Sequence, residues 1–132
     1  MGWCYNSAII VTEQTILIVD DDPSIISVLE LLLSMENYKV LIARNGEEGI
    51  AVAKARRPDL ILMDVLMPEM NGHMAMTILK SDNTTKHIPI VLLTATAQMA
   101  GNISIDHHAQ HTIHKPFEPE DLIAKVAEIL KG

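Results

Sequence analysis

The sequence predicts an α/β fold in which one parallel sheet carries helices on both faces, with right-handed crossovers. Three observations lead there. Short apolar, β-branched runs alternate along the chain with segments of helical periodicity, giving five strand-and-helix units. The strand-like runs are apolar throughout, as strands buried on both faces are, rather than alternating in and out. No internal repeat, low-complexity block or Pro/Gly-rich linker divides the 132 residues, a length close to one ordinary domain.

The elements follow in order. Thr15 to Val19 (TILIV) reads as the first strand and ends in three aspartates. Pro23 stands near a first helical turn with Asp22 as its N-cap, and Ile25, Ile26, Val28, Leu29, Leu32 and Leu33 recur at helical spacing. Lys39 to Ala43 forms a second strand. Asn45 then caps a helix through Glu47, Ile50, Ala51 and Ala55 that stops before Pro58. Leu60 to Met63 repeats the first pattern and also ends in an aspartate, Asp64. A loop, VLMPEMNG, leads to a third helix from about His73 to Lys80, with an expected apolar face that includes Met74, Ile78 and Leu79. Ile90 to Leu93 is the fourth strand and ends at Thr94. Residues 95–110 contain Gly101 and little helical periodicity, so the region where a fourth helix belongs is expected to be irregular. Thr112 to His114 is a short fifth strand ending at Lys115. Pro119 opens a final helix with Leu122, Ile123, Val126, Ile129 and Leu130 on one side.

Composition narrows the function. Acidic residues number 17 against 10 Lys plus Arg, a net charge of -7, so a nucleic-acid face would need a local basic patch that the sequence does not show. No apolar run approaches the roughly 18 residues that span a bilayer. The N-terminus lacks the basic flank and cleavage site of a signal peptide, so a cytoplasmic protein is expected. The single cysteine, Cys4, forbids an internal disulfide.

In a sheet of this kind the ligand crevice lies outside the carboxyl ends of the strands. The polar residues fall at those ends: Asp20 and Asp21 after the first strand, Asp64 after the third, Thr94 after the fourth, Lys115 after the fifth. Three converging carboxylates repel one another unless a cation sits among them, and hard oxygen ligands point to Mg²⁺ rather than zinc. A lysine and a threonine hydroxyl supply the positive charge and the donor that phosphoryl oxygens need. Metal, carboxylate nucleophile and lysine together describe phosphoryl transfer to aspartate.

The motifs TILIVDDDPS, LILMDVLMPEMNG, VLLTATA and HKPFEPEDL, in that order, resemble the receiver domain of two-component response regulators. The resemblance covers residues 14–131 and leaves 1–13, with Trp3 and Tyr5, as an N-terminal extension. It implies a flavodoxin-like, doubly wound sheet in the order 2-1-3-4-5. Residue by residue, it implies Asp64 as phosphoacceptor, and Asp21 and Asp64 as direct Mg²⁺ ligands. Asp20 would hold the metal mainly through water, and the Leu66 carbonyl would be the backbone ligand. Thr94 matches the hydroxyl residue that moves onto the phosphoryl group, Lys115 the lysine that pairs with it, and Pro116 implies a cis bond after Lys115. The implied phosphodonor is a sensor histidine kinase or histidine phosphotransfer protein. Leu66 and Thr96 occupy positions that tune phosphate loss in the family, and an apolar Leu66 cannot orient water, so dephosphorylation is expected to be unhurried.

Two features depart from the family pattern. The aromatic three positions before the lysine is Thr112 here, and the Gly-Ala pair that commonly precedes the fifth strand is His108 and Ala109. His107, His108, His111 and His114 read as a surface or half-buried cluster, since no cysteine or nearby carboxylate pair completes a metal site. Met63, Met67, Met70 and Met74 read as core and loop packing.

The leading expectation is therefore a phosphorylation-controlled signalling module, not an enzyme acting on external substrates. A phosphorylation-independent interaction domain is the alternative, motivated by Thr112, with the complete acid, Thr and Lys set against it. A flavodoxin would need a Ser/Thr/Gly-rich phosphate loop where this chain has DDDPS. The 132 residues leave no room for an output domain beside the receiver, so a stand-alone regulator and a receiver from a larger protein both remain open.

Overall fold

The structure is a computed structural model, and it describes residues 13–67, 70–94 and 111–131. Five strands, β1 (Thr15–Val19), β2 (Lys39–Ala43), β3 (Leu60–Asp64), β4 (Ile90–Thr94) and β5 (His111–His114), form one sheet in the order β2-β1-β3-β4-β5. Every neighbouring pair is parallel. Four described helices connect or follow them: α1 (Pro23–Met35), α2 (Gly46–Arg56), α3 (Gly72–Ser81) and α4 (Pro119–Lys131).

The two faces of the sheet make two cores. Ile16, Ile18, Leu60, Leu62, Val91 and Leu93 pack with Ile26, Leu29 and Leu33 of α1 and with Leu122 and Val126 of α4. The alternate residues, Leu17, Val19, Ile61, Met63, Ile90 and Leu92, pack with Ala53 of α2 and with Ala75, Met76 and Leu79 of α3. Apolar side chains on both faces of β1, β3 and β4 explain why these runs carry no polar alternation. The expected doubly wound architecture and strand order are thus present.

Local signals place the helices. The Asp22 carboxylate accepts from the Ser24 amide at 2.9 Å with Pro23 opening α1. Asn45 accepts from the Glu48 amide at 2.7 Å, while Glu48 reaches back to the Arg44 amide at 2.8 Å. Arg57, left-handed at φ 47°, ends α2 before Pro58. Asn71 caps α3 by accepting from the Met74 amide at 2.9 Å, so this helix starts one residue earlier than expected.

The face of α3 corrects the sequence expectation. Met74 and Ile78 are 51% and 39% exposed, and the buried stripe is Gly72, Ala75, Met76 and Leu79. The reason is close approach at the first turn: a Cβ on Gly72 would run into the Asp64 carbonyl oxygen, so the helix meets the end of β3 through Gly72. The rotation this sets buries Ala75, Met76 and Leu79 and carries Met74 and Ile78 outward. Met74 therefore does not share the packing role of Met63 and Met67, which are buried, and Met70, which is partly so. The irregular fourth-helix region (95–110) and the N-terminal extension up to residue 12 lie outside the described residues. So do His107, His108 and Thr96.

Candidate functional site

The carboxyl ends of β1 and β3 are adjacent because these strands pair directly, Val19 with Met63. One residue beyond each pair stand Asp20, fully buried, and Asp64, 6% exposed. Asp21 turns outward, yet Asp20, Asp21 and Asp64 bring one carboxylate oxygen each within 4.8 Å of the others. The Asp20 carboxylate also accepts from the Asp22 amide at 2.9 Å, which ties it to the turn that starts α1.

Lys115 reaches this cluster from the end of β5. Its ammonium lies 3.1 Å from Asp64 Oδ1 and 3.4 Å from Asp20 Oδ2. The Lys115 amide donates to the Thr94 carbonyl at 2.6 Å, continuing the β4–β5 ladder, and the Lys115–Pro116 bond is cis as the family resemblance implies. The loop after β3 is held at both ends: the Val65 amide donates to Leu93 at 3.0 Å and the Gly72 amide to Val65 at 2.9 Å. Between them Leu66 is 54% exposed beside the cluster.

The electrostatics match a site short of positive charge. Burial, and after it the neighbouring Asp20 carboxylate, push the Asp64 carboxyl above the usual carboxylate range, although Lys115 pulls the other way. Burial alone would lower the Lys115 ammonium, but the charges of Asp20 and Asp64 outweigh it and hold the group above its ordinary value. One lysine for three carboxylates leaves room for a cation, and an all-oxygen donor set with one exposed member suits a hard divalent ion that keeps part of its water.

Thr94 is 2% exposed, and its hydroxyl lies 3.0 Å from His114 Nδ1. The sequence pattern, which reads His114 as part of a surface or half-buried cluster, does not show this contact. His114 is indeed exposed and His111 half-buried. Desolvation, with Lys125 nearby, lowers the His111 pKa. The signal that finds the Thr94 contact is strand register, which pairs Thr94 with His114.

A five-stranded parallel sheet in the order 2-1-3-4-5, with an acid cluster and a lysine at its carboxyl edge, defines a receiver-type signalling domain. Residues 16–127 match the response regulator receiver domain, and the chain belongs to that family. It is 37% identical over 117 residues to the DNA-binding dual master transcriptional regulator RpaA of Synechocystis sp., covering 88% of this chain and 48% of that protein. It is 38% identical over 119 residues to the phosphate regulon transcriptional regulatory protein PhoB of Pseudomonas aeruginosa, covering 89% of this chain and 52% of that one. The chain thus spans about half the length of the curated relatives it matches.

Among solved structures it resembles the signal receiver domain of a signal transduction histidine kinase from Syntrophus aciditrophicus, with a TM-score of 0.83 and 34% identity over 90% of this chain and 91% of that one. It also resembles the receiver domain of a sensor histidine kinase from Pseudomonas aeruginosa PAO1, with a TM-score of 0.85 and 26% identity, covering 92% of this chain and all of that one. That structure holds a magnesium ion coordinated in its active site cleft.

Proposed function

We propose that this receiver domain accepts a phosphoryl group on Asp64 from the phosphohistidine of a sensor histidine kinase or histidine phosphotransfer protein, with Mg²⁺ as cofactor, in a phosphorelay. The observation that carries it is the Lys115 ammonium set between Asp64 at 3.1 Å and Asp20 at 3.4 Å, with Asp21 completing the acid cluster.

The residues fit the metal. Asp21 and Asp64 would hold it directly, Asp20 through water, and the Leu66 carbonyl would add the backbone ligand. When bound, Mg²⁺ supplies the positive charge that lets three carboxylates converge and that offsets charge on phosphoryl oxygens. The chain's own residues do the rest. An Asp64 oxygen attacks phosphorus, a P–O bond forms, and the P–N bond to the donor imidazole breaks with its electron pair returning to the ring. Lys115 pairs with the incoming phosphoryl oxygens, and the Thr94 hydroxyl is the neutral donor on β4. Phosphorylation adds roughly 1.5 to 2 negative charges at one point, which biases an equilibrium between resting and activated forms.

The intact acid, Thr and Lys set supports this reading over a phosphorylation-independent interaction domain. The net charge of -7 also argues that this domain does not itself contact DNA. Among the described residues no helix is long and apolar enough to cross a membrane, and a cytoplasmic setting is part of the same proposal. Incubation with acetyl phosphate and Mg²⁺, followed by intact mass, tests it. The wild type gains one phosphoryl group and Asp64→Asn gains none. A gain that persists in Asp64→Asn, or no gain in the wild type, contradicts the assignment.

A further inference from the structure

β4 and β5 pair in parallel register, Leu92 with Thr112 and Thr94 with His114. Side chains two apart on a strand share a face, so Thr112 and His114 stand on the side of the sheet that Thr94 occupies on β4. A buried hydroxyl needs a partner. Among the described residues the hydrogen-bond partner of the Thr94 hydroxyl is His114, through Nδ1 at 3.0 Å. With the ring neutral and its hydrogen on Nε2, Nδ1 accepts and the hydroxyl donates.

Asp64 pairs with Leu93, so Thr94 stands one residue beyond the acceptor on the adjacent strand. A phosphoryl group on Asp64 brings acceptor oxygens carrying negative charge, and hydrogen bonds to ionised acceptors are roughly twice as strong as neutral ones. The hydroxyl has one hydrogen, so it cannot serve Nδ1 and a phosphoryl oxygen together. The two acceptors compete. Thr112 has no ring to displace, whereas His114, exposed at the end of the same strand, can turn away without leaving a buried position.

We infer that His114 is a positioning residue that latches the Thr94 hydroxyl in the resting domain, and that phosphorylation of Asp64 breaks this latch and so reaches β5 through the histidine ring. The inference rests on Asp64 being the phosphoacceptor. The latch holds the resting form, so its removal favours the phosphorylated one. A neutral hydrogen bond of ordinary strength corresponds to a factor of about 2 to 12 in that equilibrium.

The test uses beryllofluoride with Mg²⁺ as a stand-in for the phosphoryl group. His114→Val removes the acceptor and keeps a β-branched residue in the strand; His114→Asn places an amide oxygen near where Nδ1 stood. His114→Val is expected to bind beryllofluoride about 2- to 12-fold more tightly than wild type, and His114→Asn to match wild type. Independently of any variant at His114, the ¹⁵N signal of wild-type His114 Nδ1 moves toward that of an unbonded acceptor on adding beryllofluoride. Thr94→Val moves it the same way without beryllofluoride. An unmoved Nδ1, an unchanged affinity in His114→Val, or equal tightening in both His114 variants overturns the latch while leaving the phosphoacceptor intact. Failure of wild type to bind beryllofluoride overturns both.

Discussion

β3 and β5 belong to one sheet and both end at the site, yet they are built differently. All five residues of β3 are buried, from Leu60 to Asp64, whereas none of the four in β5 is, from His111 to His114. β3 has a paired strand on each side and a core on each face, and it carries Asp64, the proposed phosphoacceptor. β5 pairs on one side, with β4, and carries Lys115 and His114 at its exit. On the proposed reading, the carboxylate that must stay fixed sits where packing over-determines it, while the strand that would report a change lies where opening costs less.

Core truncation should separate the two strands most strongly. Leu62→Ala, at a fully buried position of β3, is expected to cost about 2 to 5 kcal/mol. Ile113→Ala, at a half-buried position of β5, should cost clearly less by urea titration, and equal losses would break the comparison. Gly72→Ala comes next. Its Cβ would meet the backbone of Asp64 and Val65 at 2.4 and 3.0 Å, so about 1 to 3 kcal/mol of stability should be lost, together with weaker Mg²⁺ binding by calorimetry.

Asp64→Asn acts in the opposite direction. The folded domain holds the Asp64 proton more tightly than the unfolded chain does, so this group's stabilising contribution is present below the ordinary carboxylate pKa and is lost as pH rises through the raised folded value. Metal-free Asp64→Asn is therefore expected to melt higher than wild type at pH 7, with the difference shrinking below pH 4 (about the usual carboxylate pKa). A lower melting temperature at pH 7 would mean that the Lys115 pairing outweighs the crowding. The smallest effect belongs to the outer face of α1. Leu31→Ser, at a position 62% exposed, should leave stability within about 0.5 kcal/mol.

The buried centre was the legible part of the sequence. TILIV and LILMD announce themselves because strands covered on both faces admit few polar residues, and aspartates at their ends line up once the strands are parallel. Asp22, Asn45 and Pro58 mark helix ends by local chemistry that needs no tertiary context. The expected face of α3 holds at Leu79 and fails at Met74 and Ile78: close approach at Gly72, a residue with no hydrophobic signal, sets a rotation that buries Ala75, Met76 and Leu79 and leaves Met74 and Ile78 outside. The Thr94–His114 contact was missed for another reason. It depends on the register between β4 and β5, a long-range relation that composition and periodicity do not encode.

The most direct measurement is an amide NMR titration of the wild-type domain, first with Mg²⁺ and then with beryllofluoride. Shifts on adding Mg²⁺ should centre on Asp20, Asp21, residues 64–67 and Lys115, and beryllofluoride should extend them to Thr94 and residues 111–114. Mg²⁺ shifts that miss the β1 and β3 ends, or beryllofluoride shifts that leave β5 untouched, would contradict a site fixed at the centre of the sheet and read out at its margin.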